Sequence, residues 1–356
     1  MAFKFDTQEP FPKAIPRIAR ERINQIIESL SEKPHPAAEA IHDARKNLKS
    51  LRALLRLARG AIDDDLRIRE NTQFRDAGRS LSSLRDPQAL LEALEYFSKR
   101  HRHSTESLAP KRASIRAFID KMRTEIEQHL VAGLPPEQIR NLLKELRDAR
   151  RRASLWFEGT LIQPGNEWET FVGTGLWKTY RKAKNLVWQF EVIGPETAED
   201  AAWHELRKCA KALGYQLRLL KPIWPRMLNA FVDELDQLTD RLGDANDLSI
   251  LRGRILKEPY DPAETQSAGE TRRFFLQSID RRKEKLHSEA FDLARLIYME
   301  KSGQFARRLG GYWQILLSQN EVKKTGRSSK TDPRRPPRKN RERKASPEVH
   351  ATPQPS

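Results

Sequence analysis

A row of basic side chains along residues 41–59 has the spacing of one face of a helix. Successive members are three or four residues apart, which keeps them on the same face. No carboxylate interrupts the row, whereas a solvated helix face usually mixes acids with bases. The row consists of a histidine and four permanent cations: His42, Arg45, Lys49, Arg52 and Arg56. We therefore expect something anionic to lie along this face.

A second row in the same segment is apolar and predicts a helix that packs in a core. Its members are Ile41, Ala44, Leu48, Leu51 and Leu55, which follow the same steps displaced by one residue. One residue corresponds to a rotation of about 100° around a helix. The cations therefore flank the core instead of opposing it.

Both rows return 162 residues further on, within residues 203–221. The second apolar row is Trp203, Leu206, Ala210, Leu213 and Leu217, and the second basic row is His204, Arg207, Lys211 and Arg218. Two flanking cations also recur, Lys46 as Lys208 and Arg59 as Lys221. Arg52 is matched by Gly214, which predicts that the second half grips an anion less strongly than the first.

A short motif follows each basic segment: LSSLRD at 81–86 and LGDAND at 242–247, which lie 161 residues apart. Two motifs repeated in order at nearly one offset indicate an internal duplication. We predict two tandem lobes at residues 15–160 and 165–318. Asp86 and Asp247 would follow tight turns and serve the structure, as helix caps or as anchors for a cation.

Apolar residues at helical spacing predict the remaining elements, and no stretch shows sustained strand alternation, so the predicted class is all-α. The predicted helices are 15–30, 41–59, 67–84, 90–100, 111–130, 136–157, 168–193, 203–221, 227–242, 272–299 and 305–318. Gly173 and Gly175 weaken the prediction near the start of 168–193. Residues 321–356 are rich in Pro, Lys, Arg and Ser with few large apolar side chains, which predicts a disordered basic tail.

The chemistry of the basic rows suits a chain of phosphate groups. Arginine can donate to two oxygens at once, and lysine acts as a point charge. Helical turns repeat every ~5 Å along the axis, so successive phosphates could meet successive cations.

The same residues carry a family resemblance. The H-x-x-R-x-x-x-[KR] helix, the (L/S)RD or LGxxND element after it, and their tandem pairing resemble the CHAD family, the conserved histidine α-helical domain. The resemblance extends over residues 15–315, including GLWKTYRKAK at 175–184. It implies two four-helix bundles, one for each lobe, related by a pseudo-twofold axis. Basic residues from both halves would line a central channel that binds inorganic polyphosphate. Carried over by position, the channel residues are His42, Arg45, Lys49, Arg52, His204, Arg207 and Lys211.

Other donors extend this predicted polyphosphate site. Neighbouring cations on the two basic helices are Lys46, Arg56, Lys208, Arg218 and Lys221. Tyr180 and Lys184, four residues apart, are expected to add a further donor face.

The sequence contains no motif typical of a metal site or of a catalytic site. His42 and His204 are single histidines, and Lys208 stands where a zinc-protease helix needs its second histidine. Each would instead donate to a phosphate oxygen or form a hydrogen bond across the bundle interface. A triphosphate-hydrolysing tunnel domain often accompanies CHAD domains and carries an E-x-E-x-K strand, but the nearest string here, EWETF at 167–171, ends in Phe. We expect no metal, no cofactor and no enzymatic activity.

The composition favours a polyanionic partner. The chain has 66 Lys and Arg against 49 Asp and Glu, a net charge of +17, of which residues 323–344 carry +9. The tail could make non-specific, salt-dependent contacts with nucleic acid. A nucleic-acid-associated basic protein is therefore the main alternative, and a polyphosphate-processing phosphohydrolase is a second.

The expected location is the cytoplasm, with targeting to polyphosphate granules. Cys209 is the single cysteine, which fits a reducing compartment. No run of about 18 apolar residues and no signal-peptide pattern occurs, so we expect no membrane partner.

Overall fold

The computed structural model describes residues 3–31, 38–81, 91, 94–95, 119–124, 135–158, 165–257 and 266–328. Every regular element in these ranges is helical, which confirms the predicted all-α class. Met1–Leu316 form one compact unit, and the second unit, Leu317–Ser356, is described as far as Ser328. The division into lobes at 15–160 and 165–318 stays a prediction.

The α-helices that position the candidate site come from both halves of the chain. In the first half they are α1 Phe11–Ser31, α2 Ala38–Leu57, α3 Asp64–Ser80 and α4 Pro136–Ala153. In the second half they are α5 Thr174–Ile193, α6 Asp200–Leu219, α7 Pro225–Lys257, α8 Gln266–Ile297 and α9 Ser302–Ser328. A π-helical turn, Glu169–Gly173, precedes α5. The predicted helices at 90–100 and 111–130 lie mostly outside the described residues.

The two basic helices, α2 and α6, bury their apolar rows as predicted. All five members of each row are buried. Helix α2 packs against α1 and α3, and α6 packs against α5 and α7. Burial of roughly five large side chains per helix, at about 1.5–3 kcal/mol each, fixes which face of the helix is internal. The neighbouring basic rows are therefore held at the edge of the core.

Helices α2 and α6 also pack directly against each other and run in opposite directions where they cross. The side chain of Gln216 is fully buried, and its Nε2 donates to the carbonyl of Ala53 at 3.4 Å and to Thr179 Oγ1 at 3.1 Å. Further along α2, Arg56 lies close to Cys209 and Glu205, which precede Gln216 on α6. The duplicated helices thus form the contact between the two halves.

Two glycines let the end of α2 approach the start of α5 at backbone distance. A Cβ atom at Gly175 would lie 2.0 Å from the carbonyl oxygen of Leu57, and one at Gly60 would lie 2.4 Å from that of Thr170. No side chain fits at either contact. Gly175, which weakens the helix signal in the sequence, therefore serves the packing.

A buried ion pair fixes the orientation of α3. Glu70 is fully buried, and Arg152 of α4 donates to it from Nε at 2.6 Å and from Nη2 at 3.2 Å. Leaving one partner of such a pair uncompensated typically costs about 3–5 kcal/mol. This pair holds one face of α3 against α4 and leaves another face for α2.

The structure differs from the sequence prediction in the second half. Helix α7 continues without a break through the LGDAND motif, so Asp247 lies inside a helix and does not follow a tight turn. Asp86, its counterpart, lies outside the described residues. Helix α9 continues to Ser328, beyond the predicted start of the tail at Glu321.

We predict that Gly175→Ala lowers the free energy of unfolding by about 1–3 kcal/mol, because the added methyl group must push α5 away from α2. Gly253→Ala is the matched control, since a Cβ at that helical position meets nothing within 4 Å. It should raise the free energy of unfolding by about 0.5–1 kcal/mol. Urea denaturation followed by circular dichroism measures both, and equal effects would contradict the close approach.

Candidate functional site

The basic row of α2 lies against α3. Arg45 donates from Nη1 to the carbonyl of Leu81 at 3.5 Å, and Arg52 donates from Nε to Asn71 Oδ1 at 3.2 Å. These contacts show that α2 and α3 run antiparallel. Asn71, Arg75 and Arg79 step by four residues along α3, so they share its face toward α2. We call this surface, lined by Arg45, Lys49, Arg52, Arg56, Asn71, Arg75 and Arg79, the first groove.

Like charges are crowded and partly desolvated in the first groove. The pKa of Arg52 is lowered to about 10, first by burial and then by the charges of Arg56, Arg75 and Arg79. Asp76 opposes this effect. A shift in this direction means that the site disfavours the positive charge it holds. A bound anion would relieve that cost.

Arg56 extends the first groove toward the other half of the chain. Burial lowers the pKa of Arg56, while Cys209 and Glu205 of α6 raise it. Arg67 of α3 lowers the pKa of both Arg56 and Arg59. Arg56 therefore lies where α2, α3 and α6 meet.

The basic row of α6 lies against α7 in the corresponding way. Arg207 donates from Nε to the carbonyl of Thr239 at 3.3 Å, and its guanidinium passes over Gly243, where a Cβ would lie 3.0 Å from Nη2. His204 shares a hydrogen bond with Asn246. We call this surface, between the α6 row and Asp236, Thr239, Gly243 and Asn246 of α7, the second groove. The LGDAND motif thus forms one wall of it, with glycine giving room for the arginine.

Two predicted ligands of the second half are paired with carboxylates. Arg218 donates from Nη2 to Asp236 Oδ1 at 2.7 Å. Lys208 donates to Glu205 Oε2 at 2.8 Å, and Lys182 of α5 donates to the other oxygen. These two lysines lower the pKa of Glu205 to about 2, although burial acts in the opposite direction. Glu205 is thus part of the charge balance of this row.

His204 is held in its neutral form. Burial lowers its pKa most, followed by the charges of Lys208 and Arg207, while Asn246 and Glu205 raise it. Its Nδ1 is buried and has no hydrogen-bond partner among the described residues. A negative charge nearby would stabilise the protonated form of the ring.

Tyr180 and Lys184 serve the end of α8. The fully buried Tyr180 donates from its hydroxyl to the carbonyl of Ile297 at 2.9 Å. Lys184 donates to the carbonyls of Tyr298 and Met299 at 2.8 and 2.9 Å. Carbonyls at a helix end need such donors. The contacts of both side chains are with the end of α8, and their part in polyphosphate binding stays a prediction.

The remaining predicted ligands lie on the same two helices. His42, Lys46 and Lys49 are exposed on α2, and Lys211 is half-buried on α6. Lys221 is in the turn that follows α6, Lys221–Ile223. Within the described ranges, no three His, Cys, Asp or Glu side chains gather closely enough to hold a metal ion.

The sequence prediction missed the arginines of α3. Arg67, Arg75 and Arg79 lie outside the repeated motif, and their segment carries aspartates as well, so it does not form an uninterrupted basic row. The spacing of four between Asn71, Arg75 and Arg79 is the one signal that could have indicated them.

Comparison with known proteins gives a family and a fold. The family model of the CHAD domain matches residues 17–256. The solved structure of PptA from Streptomyces chartreusis has a TM-score of 0.52 at 14% identity, over 80% of this chain and 99% of that one. The crystal structure of the CHAD domain from the plant Ricinus communis has a TM-score of 0.50 at 19% identity, over 84% of this chain and 95% of that one. At these identities the likeness shows the fold alone. No curated protein matches the sequence.

None of the helices in the described part of the chain is both long and apolar enough to cross a membrane.

We predict opposite effects for two neighbouring tyrosines. Tyr180→Phe leaves the Ile297 carbonyl without its donor and should lower the free energy of unfolding by about 1–3 kcal/mol. The hydroxyl of Tyr298 is buried without a hydrogen-bond partner among the described residues. Tyr298→Phe should therefore leave stability unchanged or raise it. Urea denaturation of both variants tests this, and a loss in Tyr298→Phe equal to that in Tyr180→Phe would contradict it.

Proposed function

The chain belongs to the CHAD family, and from this premise we propose that it binds inorganic polyphosphate along its two basic helices without acting on it chemically. The anion would lie along the rows of α2 and α6, and Arg56 of the first row lies close to Glu205 and Cys209 of α6. Targeting of the protein to polyphosphate granules is part of the same proposal.

The observation that carries this proposal is the crowding of arginines in the first groove. Arg56, Arg75 and Arg79 are close enough to Arg52 to disfavour its positive charge, and Arg52 is also partly removed from water. Burial of like charges is costly unless counter-charges accompany them. A chain of phosphates supplies one negative charge after another along the groove, which matches a row of cations better than a single small anion does.

The expected mechanism is multivalent. Each contact between a cation and a phosphate contributes modestly, but a polymer that has bound one site offers its next phosphate at high effective concentration. Arginine forks can grip two oxygens of one phosphate, while the exposed lysines add screened point charges. Long chains should therefore bind more tightly than tripolyphosphate, and orthophosphate should bind poorly.

The non-catalytic part of the proposal has its own test. Incubation of the protein with polyphosphate and Mg²⁺ should release no phosphate above background. Release that is lost when Arg52 is replaced by alanine would support a phosphohydrolase instead.

We predict that replacing Arg45, Lys49, Arg207 and Lys211 by alanine lowers the affinity for long-chain polyphosphate by about tenfold or more, since each charge-assisted contact contributes about 1.5–3 kcal/mol at most. Isothermal titration at about 150 mM salt measures the affinity for long polyphosphate, tripolyphosphate and single-stranded DNA. Circular dichroism checks that the variant is folded.

A chain lacking residues 329–356 is the control for that experiment. It should bind polyphosphate nearly as well as the full chain. If the four-site variant binds normally and the truncated chain does not, the tail is the binding element and the helices are scaffolding. Equal affinity for single-stranded DNA and long polyphosphate would favour the nucleic-acid alternative.

The affinity for long polyphosphate should also rise as the pH falls from about 7.5 to about 5.5. His204 has a lowered pKa in the free protein, and a nearby polyanion favours the protonated ring, so binding takes up a proton. His204→Gln should reduce this pH dependence, which titrations at three pH values would measure. An unchanged slope in His204→Gln would assign the proton uptake to another group.

A further inference from the structure

The two grooves carry opposite charges at equivalent positions. The offset of 161 residues that aligns the LSSLRD and LGDAND motifs also aligns Arg75 with Asp236 and Arg79 with Asp240. Helix α3 therefore adds cations to the first groove, while α7 adds carboxylates to the second groove. The basic helix is thus preserved between the two halves, while the sign of the charge at these two positions of the facing helix is reversed.

The carboxylates of α7 neutralise the basic row of α6. Arg218 is the counterpart of Arg56, and it turns toward Asp236 at 2.7 Å. Gly214, the counterpart of Arg52, leaves the space that this guanidinium occupies, since a Cβ there would lie 3.2 Å from Arg218 Nη1. Gly214, which replaces a cation, and Asp236, which replaces an arginine, thus both accommodate the guanidinium of Arg218.

The remaining acids of that wall are close to one another. Partial desolvation, followed by the charges of Asp247 and Asp240, raises the pKa of Asp244, while Arg282 and Arg207 lower it. Arg207 of the second groove is close enough to Asp244 to lower its pKa, so an anion beside Arg207 would also approach this carboxylate.

We infer that the first groove is the tight subsite for phosphate groups, with Arg75 and Arg79 of α3 as binding residues, and that the second groove holds a phosphate chain only weakly. This inference rests on the proposed function and assigns its site unequally to the two halves. It also adds ligands from a helix that the family motif does not include.

Asp76 limits the strength of this subsite. It accepts from Arg75 Nε at 2.9 Å and lies 3.7 Å from Arg79 Nη1. Both arginines and the aspartate are at least partly exposed, so these pairs are weak and can exchange for a phosphate. Removal of the Asp76 charge would leave the same cations more available.

The inference predicts a preference that depends on chain length. A compact group of arginines can hold a short anion such as tripolyphosphate by itself, whereas the second groove contributes only when a chain is long enough to reach it. Loss of Arg75 and Arg79 should therefore reduce the affinity for tripolyphosphate and for long polyphosphate. Changes confined to the second groove should affect only the long chain.

The test compares variants of the full chain by isothermal titration with tripolyphosphate and with long polyphosphate. Arg75→Ala with Arg79→Ala should lower both affinities by about tenfold or more. Arg281→Ala with Arg307→Ala is the matched control. Both side chains are exposed, each donates from Nε to a carbonyl of its own helix, and their removal changes the net charge equally. This control should change either affinity by less than about threefold.

A variant that gains affinity provides a test that unfolding could not mimic, because unfolding would only lower the affinity. Asp76→Asn should tighten tripolyphosphate binding about two- to fivefold, because it removes the competing carboxylate. Asp236→Asn, which frees Arg218, should strengthen binding of the long chain and leave tripolyphosphate unchanged.

The inference fails if Arg75→Ala with Arg79→Ala binds like the control pair, or if Asp76→Asn does not tighten binding. Either result in a chain that still binds long polyphosphate leaves the proposed function intact. If the unmodified chain binds neither ligand, the proposed function itself fails.

Discussion

The structure depends on one geometric constraint: each basic helix must bury an apolar row that lies only about 100° from its cations. Because the apolar row packs against neighbouring helices, the basic row beside it lies at the edge of the core and faces one of those helices. There the cations lose part of their water and approach other charged groups. Every electrostatic feature of the candidate site, from the lowered pKa of Arg52 to that of His204, follows from this placement.

The two halves meet this constraint differently. In the second half, carboxylates compensate the cations, as Asp236 does for Arg218 and Glu205 does for Lys208. The cations there help to hold helices together. In the first half, α3 adds further arginines that lower the pKa of Arg52, and Asp76 offsets their effect only in part. A fold can carry such a cost where its other contacts, such as the buried Glu70–Arg152 pair, secure the same helices.

This difference in charge compensation between the two halves gives a physical reason for a duplicated fold. The contact between the halves, with Gln216 of α6 bonded to Ala53 and Gly175 of α5 against Leu57, needs both copies to be present. In the second half, Asp236 joins α7 to α6 through Arg218, whereas the arginines of the first groove remain crowded around Arg52. We therefore interpret the charge inversion between Arg75 and Asp236 as specialisation of the two copies.

The sequence by itself determined the helical class, both apolar rows, both basic rows and their repetition, because helical periodicity and internal repeats are local signals. It also indicated the family. The tertiary structure alone decided what surrounds each predicted donor. Tyr180 and Lys184 reach the end of α8, Arg218 reaches Asp236, and Arg75 and Arg79 lie near Arg52. It also placed Asp247 within a continuous helix. These outcomes depend on the register and crossing of helices far apart in the chain, which spacing along one helix does not specify.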